Sequence, residues 1–169
     1  RLDTYTGSVL LSTLSNNKII INYPKENFCL ELETDCHLCL FPPEKEFLNS
    51  DDDNDLSLGI NFNCSGLSVS AFGDASSKRE KKLSLQNNLV AQILKASHHG
   101  SLYSNSDDLV EKVNPQVFLI SVGKNNYGQP APEIINRIKL KGIKIWRTDQ
   151  NGDVLFYSKN SQLYSIKPW

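Results

Sequence analysis

The chain has 169 residues, 18 of them basic and 19 acidic, for a formal net charge of -1, with 39% hydrophobic and 22% charged residues. That length suits one ordinary domain whose core needs no staple, and a near-neutral balance leaves any contact with a polyanion to local groups. No apolar run approaches the roughly 18 residues that a bilayer crossing needs, so composition predicts a soluble globular piece without a membrane span.

The chain contains no methionine and begins Arg1-Leu2-Asp3 without the charged and apolar regions of a signal peptide, which implies a fragment or a processed chain. "NKIIINY" (17–23), "FCLEL" (28–32) and "CHLCLF" (36–41) are β-branched or alternating runs between polar turns, and they predict a strand meander. The four cysteines, Cys29, Cys36, Cys39 and Cys64, lack the second ligand pair of a zinc site. They read instead as small buried hydrophobes in strands, with His37 a core or edge residue beside them. Acid-rich "LNSDDDND" (48–55) lacks the Gly and distal Glu of a calcium loop and reads as a solvated surface loop. "LSLGINF" and "GLSVSAF" flank the turn "NCSG" as a hairpin whose second strand runs into Gly73-Asp74.

Helices are predicted near 77–86, capped by Ser76 or Ser77, near 106–114, and over 132–141, with Pro132 in the first turn and Gly142 past the last. Between them, "VAQILKA" and "QVFLISV" read as strands. "IKIWRT" and "DVLFYS", joined by Asp149-Gln150-Asn151-Gly152, predict a hairpin, with "QLYSIKP" a last strand. The fold class is therefore α/β, a mixed sheet with flanking helices. Open sheets of this class bind ligands outside the carboxyl ends of their strands, and both Asp74 and the pair His98-His99 fall at such ends. A carboxylate and an imidazole there suit a divalent metal. The same residues also make ordinary turn chemistry, with Asp bonding backbone ahead of a helix and a His-His-Gly corner satisfied by carbonyls.

The stretches "NDLSLGINFNCSGLSVSAFGDASSKREKKL" and "ILKASHHGSLYSNSDDLVEKVNPQVFLISVGKNNYGQPAPEIINRIKLKGIKIWRTDQNGDVLF" together resemble a known domain. It is the later part of the metallo-β-lactamase-like domain at the end of ComEC-type DNA-uptake proteins of naturally competent bacteria. The resemblance implies an αββα fold, with residues 1–169 a single domain whose N-terminal portion lies upstream. It also implies metal-assisted phosphodiester hydrolysis, with zinc or manganese in a complete parent and DNA as a partner through that parent. Asp74 and His98 take the place of metal ligands, and His99 that of a catalytic proton carrier or alternative ligand. Ser101, Lys124 and Asn126 take the place of substrate-phosphate contacts. Membrane association would come through the parent, this chain itself being soluble.

Two departures from the family pattern stand out. The His-x-His-x-Asp-His cluster is absent from these 169 residues, and "GQPAPE" puts Gln129 and Ala131 where relatives carry two histidines. The isolated chain is therefore expected to hold no catalytic metal. Two alternatives stay open: a degenerate domain of the same fold that binds DNA or a partner, and a separate secreted or cytoplasmic metallo-hydrolase.

Overall fold

The structure is a computed structural model that describes residues 5–166. Its centre is a seven-stranded sheet in sequential order β1 to β7. The strands β1 (Phe28–Glu33), β2 (Cys36–Phe41), β3 (Gly59–Cys64) and β4 (Leu67–Ala71) form an antiparallel meander. From β4 onward the pairing is parallel through β5 (Ile93–Lys95), β6 (Val117–Ile120) and β7 (Lys144–Arg147). The expected mixed sheet with flanking helices is thus what the chain forms.

Parallel strands need crossovers, and α2 (Ser77–Leu83), α3 (Asp107–Val113) and α4 (Pro132–Leu140) fall within them. Ser76 caps α2 by accepting from the Arg79 N–H, Ser106 caps α3 by accepting from Leu109, and Pro132 opens α4. Leu83, Leu109, Val113, Ile134 and Ile138 pack with Phe41, Phe72, Leu94, Phe118 and Ile120 into the main core. On the opposite face a separate hairpin, β8 (Leu155–Lys159) and β9 (Gln162–Ile166), brings Phe156 and Leu163 to Ile93, Val117 and Trp146.

Several expectations are corrected. Residues 17–23 form no strand. They follow α1 (Tyr5–Asn16), a helix in a stretch where the sequence reading set no element, and Ile20 is 83% exposed there. A β-branched run becomes a strand only beside a partner, and among the described residues this one pairs with no strand. "IKIWRT" and "DVLFYS" do not pair with each other. The first completes the parallel sheet as β7, Thr148–Asn151 coil into a short helix α5, and β8 pairs with β9. Asn160 and Ser161, both at positive φ, make the real hairpin turn. Within 48–55, Asp55 is not solvated. It is buried, and its carboxylate accepts from the Ser50 and Ser76 hydroxyls.

The cysteines are not free thiols. Register sets Cys29 opposite Cys39 and Cys36 opposite Cys64, and each pair is a disulfide. Cys36 and Cys39 are three residues apart on one strand, so the two bridges lie on opposite faces of the sheet. The edge strand β1 is exposed along its whole length and pairs only with β2, so it has little apolar burial of its own.

Peptide mapping without reductant should recover the Cys29–Cys39 and Cys36–Cys64 linked peptides, and the unfolded, unreduced chain should show no free thiol. After reduction, amide exchange should rise first in 28–33 while α3 and β6 stay protected. Uniform loosening of the whole sheet would contradict that order.

Candidate functional site

The carboxyl ends of all four parallel strands open into one cleft of about 500 Å³. Asp74 follows β4, His98 and His99 follow β5, the loop from Ser121 to Gln129 follows β6, and Thr148 follows β7. This is where an α/β sheet presents a ligand site, because rigid strands end there and their loops converge.

The His-His corner is backbone under tension. His98 and His99 both sit at positive φ, 47° and 54°, which costs an L-residue with a bulky side chain roughly 1–2 kcal/mol each. A buried asparagine holds them there. Asn105 Oδ1 accepts from Ser97 N–H at 2.8 Å, while its Nδ2 donates to Ser97 O at 3.1 Å and Ser101 O at 3.3 Å. One amide thus grips both ends of the histidine turn. Asn105 is gripped in turn: its N–H and that of Ser106 donate to the two oxygens of buried Glu80, at 2.8 and 2.6 Å, and Arg137 donates to its carbonyl. Gly100 closes the corner at φ +85°. A Cβ there would lie 2.6 Å from Pro130 Cβ, and the Gly100 carbonyl accepts from Ala131 N–H at 2.9 Å.

Asp74 is positioned by the preceding glycine, at φ +59°, and by its own N–H, which donates to Ser57 Oγ at 3.0 Å. The carbonyl of Gly73 accepts from His98 N–H at 3.1 Å, tying the aspartate turn to the histidine turn. His99 is exposed, and its Nδ1 lies 2.6 Å from Ser121 O. A carbonyl partner requires the proton on Nδ1, so Nε2 is left with its lone pair, the tautomer that ligates a metal or takes a proton.

Of the expected substrate contacts, Lys124 lines the cleft and is exposed. Asn126 is exposed and is not among the lining residues; its neighbour Asn125 is, and it shapes the loop. Asn125 donates to the carbonyls of Gly123 and Gln129 and accepts from the N–H groups of Tyr127 and Gln129. Ser101 is buried, lines an adjoining groove, and accepts from Tyr103 N–H. His37 lies exposed on β2, outside this cleft.

The sequence reading missed Lys95, Thr148, Asn105 and Glu80. Lys95 ends β5, where burial pulls its pKa below the ordinary value and Asp74 opposes the shift. Thr148 clamps the loop after β6 through Val122 N–H and O. Only the Asn before the Ser106 cap offered a signal in the sequence, since asparagine tolerates positive φ. Among the described residues no three His, Cys, Asp or Glu side chains gather as a metal-binding group.

The chain is thus an α/β protein with a cleft at the carboxyl ends of its parallel strands, lined by a carboxylate, two imidazoles and a loop lysine. The sequence is homologous to segments of two bacterial competence proteins. It is 32% identical over 109 residues to ComE operon protein 3 of Bacillus subtilis (strain 168), covering 63% of this chain and 14% of that protein. It is 34% identical over 108 residues to competence protein ComA of Neisseria gonorrhoeae, covering 62% of this chain and 16% of that protein. The match therefore spans a small fraction of either relative's length. No family model matches the sequence.

Replacing Asn105 with Ala should lower stability by about 2 kcal/mol or more in a urea titration, because it strands buried backbone groups of Ser97 and Ser101. A change within a few tenths of a kcal/mol would mean that the corner holds itself.

Burial raises the Glu80 pKa, against the opposing hydrogen bonds from the Ser106 and Asn105 N–H groups. A folded pKa above the unfolded one gives stability that is full below the unfolded value and lost as pH rises through the folded value. The native chain should therefore gain stability relative to Glu80→Gln as pH falls from neutral into the carboxylate range. Urea midpoints across that range would show it, and a constant difference would contradict it.

Proposed function

We propose that this chain is part of a DNA-uptake protein and contributes one share of a metal-dependent phosphodiesterase site that it does not complete alone. The observation that carries the reading is the convergence of Asp74, His98 and His99 on one cleft at the carboxyl ends of the parallel strands. Homology to two competence proteins favours DNA uptake over a separate metallo-hydrolase.

The donors fit a divalent metal such as zinc or manganese in kind and fall short in number. A catalytic zinc takes three protein ligands and leaves one position to water, whereas Asp74 and His98 supply two once His99 serves as proton carrier, and no further acidic or imidazole side chain lines the cleft. In this reading the remaining ligands come from elsewhere in a longer parent. A bound divalent ion would bring the pKa of its water to about 7 and offset charge on the scissile phosphate.

The chain's own residues do the rest. Asp74 and His98 would hold the ion. His99, oriented by the Ser121 carbonyl, presents Nε2 to accept or return a proton. Lys124 supplies a point charge to phosphate, Asn126 stands on the same loop, and Ser101 closes the histidine turn, its N–H donating to the His98 carbonyl and its own carbonyl accepting from Asn105.

A second reading has its own support. Gln129 lines the cleft and Ala131 is buried with its N–H spent on Gly100, so neither position offers an imidazole. A domain of this fold without catalysis, binding DNA or a partner through the same cleft, is the alternative.

The test is cleavage of single-stranded DNA with Mn²⁺ or Zn²⁺ by the intact parent, by its Asp74→Ala and His98→Ala variants, and by the 169-residue chain alone. Cleavage by the parent should fall about 100-fold or more in either variant, and the isolated chain should be inactive. A parent that binds DNA and never cleaves it supports the second reading.

A further inference from the structure

Beside the cleft lies a second hollow of about 460 Å³, and the two share His98, Tyr127 and Gln129 as a common wall. Its character differs from the cleft's. Ser101, Tyr103, Tyr127, Gln129, Pro132 and Glu133 are among its lining residues, and no lysine or arginine lines it. Glu133 brings a negative charge, so the groove disfavours phosphate. Aromatic faces, a proline ring, an amide and a carboxylate are the set that receives a flat, neutral, hydrogen-bonding ring.

Two features of the tyrosines stand out. Tyr103 is 79% exposed and Tyr127 is 87% exposed. Yet both backbones are pinned. Tyr103 N–H donates to Ser101 Oγ at 3.3 Å, and its carbonyl accepts from both the N–H and the hydroxyl of Ser77 at 2.8 Å. Tyr127 N–H donates to Asn125 Oδ1 at 3.0 Å. Large rings held out in solvent on a fixed backbone cost folding and give little burial in return, but they bind a second ring with little further loss of freedom.

We propose that this groove is a nucleobase subsite in which Tyr103 and Tyr127 stack on the base of a nucleotide whose phosphate occupies the neighbouring cleft. The proposal rests on the reading of that cleft as a phosphodiester site and adds what it recognises besides the phosphate. The shared wall places a ring-binding groove one step from Lys124 and the imidazoles, as a nucleotide places its base one sugar away from its phosphate. Stacking needs an unpaired base and tolerates any sequence, so the subsite selects single strands without reading them.

The experiment compares binding of an oligothymidylate and of an abasic deoxyribose-phosphate oligomer of the same length, by fluorescence anisotropy with the full chain. The chain should bind the oligothymidylate about tenfold tighter, the size of one lost stack. The Tyr103→Ala, Tyr127→Ala double variant should lose that difference and bind the two oligomers equally. The corresponding double Phe variant should keep it. Both positions are exposed, and unchanged thermal melting would establish that the variants fold. Equal affinity for the two oligomers, a difference that survives the double Ala variant, or no binding of oligothymidylate overturns the subsite. The catalytic reading fails separately: a parent that cleaves DNA while binding base-bearing and abasic strands alike loses the subsite and keeps the cleft, while preference for the base-bearing strand without cleavage keeps the subsite under the non-catalytic reading.

Discussion

The grip of Asn105 on Ser97 and Ser101 is the constraint on which the candidate site depends. Two consecutive histidines at positive φ do not persist unless their surroundings over-determine them. Asn105 supplies that from inside, since every hydrogen-bonding group of its side chain is spent on the turn's backbone. Behind it, Glu80 fixes the Asn105 and Ser106 backbone from α2, so the same carboxylate joins the start of α3 to the histidine turn. The strain is local and its support is spread over two helices. That distribution suits side chains that must be held at a set place and angle.

The sheet explains where the strain is put. A meander becomes parallel at β4, and only from that strand onward do successive carboxyl ends point the same way. Asp74, His98 and His99, the loop after Ile120 and Thr148 therefore gather at one edge, although they are spread over 75 positions of sequence. On the antiparallel side the architecture is held differently. There β1 has little burial, and disulfides on both faces bind the first three strands together.

Lys95 and Arg79 show how charge is managed inside this framework. Arg79 is buried on α2. Its guanidinium is pulled below its ordinary pKa by burial and held up by Glu44 and Asp55, and it donates to the carbonyls of Phe41 and Ser57. It thereby ties the segment between β2 and β3 to the helix that carries Glu80. Lys95 is half-buried at the end of β5; burial lowers its pKa, the charge of Asp74 opposes that shift, and its ammonium donates to the Ala96 carbonyl at 3.2 Å.

Local pattern determined much of the chain. Alternation gave β1 to β4, caps at Ser76 and Ser106 and Pro132 gave the three helices, and the placement of Asp74, His98 and His99 at strand ends followed from reading those elements in order. These features are set within a few residues by backbone sterics and capping, which a single sequence displays. What the sequence left open depends on partners far along the chain. The run at 17–23 looks like a strand and has no neighbour to pair with, "IKIWRT" pairs with β6 instead of the strand that follows it, and the cysteines meet only because register sets them opposite each other. Asn105 and Glu80 look like ordinary polar residues until the fold brings them, 25 positions apart in the chain, to hydrogen-bond distance. Pairing, register and buried polar contacts are decided by which surfaces meet, and that is a property of tertiary structure alone.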